Sequence, residues 1–185
     1  METSIIIAGF GGQGVLFAGQ LLAYAGMEND LHVTWIPSYG PEMRGGTANC
    51  TVIISDEPVG APIVARPDVA VVLNLPSLEK YEPLVKPGGL LVVNSSLINV
   101  EVEREDIEVV YVPANDIANE IGSAKMMNMA AIGALLGKRP FLTLPQLYQT
   151  LDRHLPARKA HLLEANKQVV QRGYEVAGSQ LIVGS

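Results

Sequence analysis

The chain has 185 residues, 48% of them apolar and only 17% charged, with a formal net charge of −6. That length suits a single domain with a real core, and the acidity argues against a general nucleic-acid binder, which needs a basic face. Charge this far below the roughly 25% of an average soluble domain means that the chain either buries more than usual or spends part of its surface against a partner.

Ser4 to Ala8 (SIIIA) is a short, β-branched apolar run and predicts a buried strand. Gly9-Phe10-Gly11-Gly12-Gln13-Gly14 follows, and from Val15 to Met27 the apolar positions fall at helical spacing, with Gly26 and Asn29 as stop signals. His32–Ile36 and Ala48–Ile54 predict the second and third strands and Val69–Leu73 the fourth. Pro76 opens a helix carried by Leu78 to Val85. Lys86-Pro87-Gly88-Gly89 is a turn, and Leu90–Val93 and Val109–Val112 predict the fifth and sixth strands. From Ala114 onward the pattern is helical, over 114–121, about 124–137, 144–153 and 157–177.

Wholly apolar strands alternating with helices predict an α/β architecture: a Rossmann-like, open, mostly parallel sheet with helices on both faces and a helical C-terminal third. The last helices carry too little core of their own to stand alone, so residues 1–185 are read as one domain. No run reaches the roughly 18 apolar residues of a membrane span. Met1-Glu2-Thr3-Ser4 lacks the basic opening of a secretion signal, so a cytoplasmic protein is expected. Cys50 is the only cysteine, too few for a disulfide, an iron–sulfur cluster or a structural zinc. His32, His154 and His161 are scattered, and the last two read as surface polar residues.

Gly9, Gly11 and Gly14 form G-x-G-x-x-G between a strand and a helix. In such a loop the first glycine permits the tight turn, the second lets backbone approach a phosphate, and the third packs helix on strand. The helix N-terminus adds unpaired N–H groups and the positive dipole end. A dinucleotide site also needs an acidic residue at the end of the second strand. That strand runs into Trp35-Ile36-Pro37-Ser38, and Glu28 and Asp30 precede it. Nicotinamide binding is disfavoured on this ground, while a plain strand–helix turn stays open.

Ser38 to Gly46 (SYGPEMRGG) is too long for a simple turn. If the first two strands are parallel neighbours, this loop leaves the same carboxyl edge as Gly9–Gly14, where ligands meet α/β sheets. Arg44 is the only Lys or Arg between Gly9 and Ala65, Gly45 and Gly46 let backbone come close to a surface, and Tyr39 offers a flat face with a polar tip. A solvated loop charge and simple loop packing are the bland alternatives.

IIIAGFGGQGVLFAGQLLAYAG together with SYGPEMRGGTANCTVIIS resembles the gamma subunit of the 2-oxoacid:ferredoxin (acceptor) oxidoreductases, which is also an internal domain of pyruvate:ferredoxin oxidoreductase. The resemblance continues through PDVAVVLN, LVKPGGLLVVNSSLI, NMAAIGAL and ANKQVVQRGYE. It implies a complex that decarboxylates a 2-oxoacid and passes the acyl group to coenzyme A. Alpha and beta subunits would hold thiamine diphosphate and Mg²⁺. A ferredoxin-like subunit would hold iron–sulfur clusters, and ferredoxin or another acceptor would take the electrons. This chain would bind no cofactor alone and carry no catalytic residue. Gly9, Gly11, Gly12, Gln13, Gly14, Tyr39, Arg44, Gly45, Gly46 and Asn128 would meet coenzyme A or a partner subunit, with Asn128 also able to hold loop backbone. 2-Oxoglutarate is the substrate favoured over pyruvate and branched-chain acids. A free-standing dehydrogenase and a ligand-sensing regulatory module are the competing readings.

Overall fold

The computed structural model describes residues 1–38 and 47–180. The elements are β1 (Glu2–Phe10), α1 (Val15–Glu28), β2 (His32–Ser38), β3 (Thr47–Ser55), β4 (Val69–Val72), α2 (Leu75–Tyr81), β5 (Leu90–Asn94), β6 (Glu108–Val112), α3 (Ala114–Ile121), α4 (Met127–Lys138), α5 (Leu144–His154) and α6 (Leu163–Ser179). Two predicted helices are α-helical over only part of their length. The second ends as a 3-10 turn over Glu82–Leu84, where Pro83 cannot supply an α-helical N–H. The last begins as a 3-10 segment, Ala157–Leu162, and becomes α-helical only from Leu163.

The six strands form one sheet in the order β2-β3-β1-β4-β5-β6. β1, β4, β5 and β6 are parallel, and β3 runs antiparallel to both β1 and β2. β1 and β2 therefore point the same way but are not neighbours, which corrects the expectation of a parallel pair. The order also departs from the 3-2-1-4-5-6 of a Rossmann sheet, because β3 runs antiparallel between β2 and β1 where a Rossmann sheet has a parallel strand reached by a helical crossover.

Alternate strand residues face two cores of unequal size. Ile5, Ile7, Val52, Ile54, Val71 and Val92 meet α1, α3, α4, α5 and α6 on one face. Ile6, Ala8, Ala70, Val72, Leu91 and Val93 meet α2 and the extended stretch around Ile98 and Ile107 on the other. α4 lies in the middle of the thick layer and is buried at every position from Met127 to Leu136. It crosses α6 at backbone contact: a Cβ at Gly173 would stand 2.8 Å from the carbonyl carbon of Ala130, and one at Gly133 would stand 2.9 Å from that of Val170. Glycine is required there by proximity alone, since neither residue has a positive φ.

The α1–α5 contact is polar. Thr143 and Gln146 form a reciprocal capping box that starts α5, and Gln146 then reaches Asn29 at 2.8 Å. Glu28 accepts from Thr150 at 2.8 Å, pairs with His154 Nε2 at 2.6 Å and lies 3.5 Å from Arg153. The His154 ring stacks on Tyr24 with centroids 4.0 Å apart. His154 is thus a packing partner of α1 rather than a solvated surface residue. Burial raises the Glu28 carboxyl, but the hydrogen bonds from His154 and Thr150 and the charges of His154 and Arg153 outweigh it and hold the pKa below the ordinary 4.5.

Gly173→Ala should destabilise the fold by about 1–3 kcal/mol or more, because rigid backbone on α4 cannot yield to the added methyl. Gly178→Ala, with nothing within 4 Å of its Cβ position, should be neutral or slightly stabilising. Urea denaturation of the two variants separates close packing from helix propensity. A carboxylate with a depressed pKa stabilises the fold above its unfolded value and loses that contribution as pH falls through the folded value. Glu28→Gln should therefore flatten the loss of Tm below about pH 4.5 and leave its shape near neutrality unaltered.

Candidate functional site

The carboxyl edge of the sheet is where the strand ends, the glycine loop and the anchors of the Tyr39–Gly46 segment converge. Phe10 ends β1 opposite Thr47, and Ser38 ends β2 opposite Asn49, which in turn stands opposite Ala8. Ser38 and Thr47 are the residues on either side of Tyr39–Gly46, so both anchors of that segment lie beside the glycine loop. Tyr39, Arg44, Gly45 and Gly46 themselves lie outside the described residues.

The glycine loop is braced from within. Gln13 N donates to Phe10 O at 3.2 Å, and Phe10 N donates to Gln13 Oε1 at 2.6 Å. Gln13 thereby acts as a clasp within the loop. Gly9 has no room for a side chain: its Cβ would lie 2.5 Å from Gln13 Oε1 and 3.0 Å from Leu73 Cβ. Gly11 and Gly12 are exposed. Gly12 has φ 89°, and among the described residues nothing lies within 4 Å of its Cβ position. Gly14 has φ 73° and caps α1 without a side-chain hydrogen bond. The first helical hydrogen bond is Ala18 N to Gly14 O, which leaves the N–H groups of Val15, Leu16 and Phe17 at the head of a 14-residue helix.

Asn128, buried on the first turn of α4, donates from Nδ2 to Gly14 O at 3.1 Å, while Met129 N donates to Asn128 Oδ1 at 3.0 Å. A Cβ at Gly14 would stand 2.9 Å from Asn128 Cγ. Gly14 therefore makes room for α4, not for a strand. The close approach of α1 to the sheet belongs to Gly19, whose Cβ would be 3.1 Å from Trp35 Nε1 and 3.3 Å from Val52 Cγ2. Cys50 lies in the same contact, with Sγ 3.5 Å from Val15 O. Burial pushes its thiol up to about 12, so it supplies no thiolate near neutrality.

Two asparagines at the next strand ends, Asn74 and Asn94, carry roles that the sequence pattern did not single out, and Asn94 engages a third, Asn115, at the head of α3. Asn94, wholly buried at the end of β5, donates to Leu73 O at 3.2 Å and to Asn115 Oδ1 at 2.8 Å, and accepts from Ala114 N at 3.2 Å. Asn74 Oδ1 accepts from Ser77 N at 2.9 Å and caps α2. The signal was present as VVLN and LVVN, an amide closing each of two apolar runs. These side chains lock the edge loops to one another. Exposed apolar residues stand on the same edge: Phe10 at the end of β1, Ile36 near the end of β2, Leu75 just past β4 and Leu97 just past β5.

The arrangement offers an anion or a partner backbone a set of main-chain N–H groups beside an apolar rim. No group of three or more His, Cys, Asp or Glu among the described residues is placed to hold a metal ion. No described helix is long and apolar enough to cross a membrane. The dinucleotide reading loses further ground in three dimensions, because the parallel neighbour of β1 is β4, whose end is Leu73-Asn74 rather than an acidic residue.

A strand–glycine-loop–helix edge of this kind, with the anchors of the Tyr39–Gly46 segment beside it, defines a domain class, and comparison with known proteins names it. Residues 4–176 match the family model described as pyruvate ferredoxin/flavodoxin oxidoreductase, and the chain belongs to that family. It is 35% identical over 180 residues to the ketoisovalerate oxidoreductase subunit VorA of Methanothermobacter marburgensis, covering 97% of this chain but only 37% of that protein. It is 32% identical over 180 residues to the 2-oxoglutarate synthase subunit KorC of Methanocaldococcus jannaschii, covering 96% of this chain and 95% of KorC. The crystal structure of the keto/oxoacid ferredoxin oxidoreductase gamma subunit from Geobacter sulfurreducens superposes with a TM-score of 0.83 at 27% identity, over 96% of this chain and 99% of that one.

Gly14→Ala should destabilise the protein through its positive φ and its collision with Asn128. Asn128→Ala alone should cost about 1 kcal/mol for the lost hydrogen bond. If the two residues compete for one space, the double variant will be more stable than the sum of the single effects. Simple additivity in thermal unfolding would show that the contact with α4 is not what requires glycine at residue 14.

Proposed function

We propose that this chain serves as the gamma-type subunit of a complex that oxidatively decarboxylates a 2-oxoacid to the acyl-coenzyme A, with ferredoxin or another acceptor taking the electrons. The observation that carries this reading is the composition of the carboxyl edge. Main-chain N–H groups at the head of α1 that have no partner among the described residues, both anchors of the Tyr39–Gly46 segment and the exposed Phe10, Ile36, Leu75 and Leu97 all lie there. An edge that is partly apolar and partly lined with main-chain donors suits a wall shared with another subunit. Family membership supplies the reaction class, and the proposed partners are the thiamine diphosphate-binding alpha and beta subunits and a ferredoxin-like subunit.

In this reading the chain binds and orients; it moves no electrons. Coenzyme A is polyanionic, and the residues present suit one of its phosphates: the N–H groups of Val15, Leu16 and Phe17 provide a positive helix end, and Gly12 leaves its backbone unshielded. Gln13 and Asn128 would act indirectly, by holding the loop that presents those groups. Arg44 would add either a charge for coenzyme A or an ion pair with a partner carboxylate, and the interface role is preferred because glycine-rich loops bring two backbones together. 2-Oxoglutarate is the first substrate to test, since the KorC relative is matched along nearly its whole length; the VorA relative makes a branched-chain acid the second. A cytoplasmic location follows from the proposed reaction.

Native purification of the tagged chain should bring down larger subunits with iron–sulfur absorbance and activity toward one 2-oxoacid of a panel. A chain that emerges alone with a bound nucleotide would overturn the proposal. Arg44→Ala distinguishes the two roles. Loss of a coenzyme A contact should raise the coenzyme A requirement roughly ten- to hundredfold in an intact complex, the equivalent of about 1.5–3 kcal/mol of charge-assisted bonding. Loss of an interface contact should instead dissociate the complex on a sizing column and affect both substrates alike.

A further inference from the structure

At the far end of the sheet from the glycine loop, β6 is an edge strand. Its even-numbered residues face β5: Glu108 N donates to Gly89 O at 2.9 Å, and Val112 O accepts from Ser95 N at 2.9 Å. By strand alternation the main-chain groups of Val109 and Tyr111 point outward. Tyr111 is already satisfied in an unusual way. The Gln180 carboxamide bridges it as a neighbouring strand would, with Oε1 accepting from Tyr111 N at 3.1 Å and Nε2 donating to Tyr111 O at 2.5 Å. Lys138 Nζ holds the Gln180 carbonyl at 2.8 Å, which fixes the clasp. Among the described residues no such partner meets the N–H and C=O of Val109.

Val109 opens into a groove of about 850 Å³ whose lining includes Glu101, Val102, Glu103, Glu105 and Ile107. The two cations that also line it are already engaged. Arg104 binds Asp106 at 2.7 Å and the carbonyls of Glu82 and Val85 at 2.7 and 2.9 Å. Lys138 lies 3.5 Å from Glu108. Glu101, Glu103 and Glu105 are exposed and form no ion pair among the described residues. The groove thus combines an outward peptide group, apolar side chains and three uncompensated carboxylates.

We propose that this groove is a docking site for an extended basic segment of a partner protein, with lysine or arginine alternating with apolar residues. Such a segment would add to β6 beside Val109, as in strand addition to an open sheet edge. Its cations would meet Glu101, Glu103 and Glu105, and its apolar residues would meet Val102 and Ile107. The Gln180 clasp would limit the added strand at Tyr111 and so set its register. Edge carboxylates of this kind can instead serve only to repel other strands and prevent aggregation, and the two roles predict opposite results.

The full chain can be titrated with the peptide acetyl-Lys-Val-Lys-Val-Lys-Val-amide while amide hydrogen exchange is followed by mass spectrometry. The proposal requires saturable, salt-sensitive binding and slowing of exchange at Val109 by about tenfold or more. The triple variant Glu101→Gln, Glu103→Gln, Glu105→Gln alters only exposed side chains, should fold normally and should weaken binding by about tenfold or more. Absence of saturation at about 1 mM peptide would leave the carboxylates as a repulsive edge and overturn the proposal. So would equal binding of the peptide with glutamate in place of lysine, or binding without protection of Val109.

Discussion

Phe10 stands opposite Thr47 because β3 runs antiparallel to β1 for nine residue pairs, from Glu2–Ser55 to Phe10–Thr47. Parallel neighbours would have needed a crossover between them. With β3 inserted antiparallel instead, the end of β2 and the start of β3 both arrive at the carboxyl end of β1. Ser38 and Thr47, which flank Tyr39–Gly46, are thereby held beside the glycine loop, across only one intervening strand. Every functional assignment on this edge depends on that register, and a slip of one residue would turn Cys50, Val52 and Ile54 out of the core.

The glycine loop needs support from outside its own sequence. A turn with an open Gly12 and a positive φ at Gly14 has little intrinsic rigidity. The Gln13 clasp closes it locally, and Asn128 ties its last carbonyl to α4. α4 is in turn held by the backbone-close crossing with α6 at Gly133 and Gly173. The helical C-terminal third is therefore a buttress: it sets where the head of α1 sits and hence where its first N–H groups point.

The asparagines extend the same logic along the edge. Asn94 replaces missing backbone partners on both the β4 and the β6 side, at Leu73 O and Ala114 N, in a place sealed from water. Unpaired buried donors and acceptors there would carry a desolvation cost of about 1–3 kcal/mol each. A carboxamide meets both needs because it donates and accepts at once. The edge loops are consequently fixed to one another before any ligand or partner arrives, which suits a surface that has to present fixed geometry to another chain.

The sequence by itself determined the elements and the class of the protein. Short β-branched apolar runs bounded by glycine and proline favour buried strands, and the motif pair GFGGQG and SYGPEMRGG marks the family. Which strands are neighbours was not legible, because the pattern of Ala48–Ile54 is equally apolar whichever way the strand runs. Tertiary structure also decided the roles of single residues. Gly14 yields to Asn128, 114 residues away, and Gly19 rather than Gly14 lets α1 approach the sheet. His154 became a partner of Glu28 across 126 residues. Local sequence encodes periodicity and turn chemistry, which act over a few residues. Close approach and hydrogen-bond satisfaction between distant segments arise only once helices and sheet are packed.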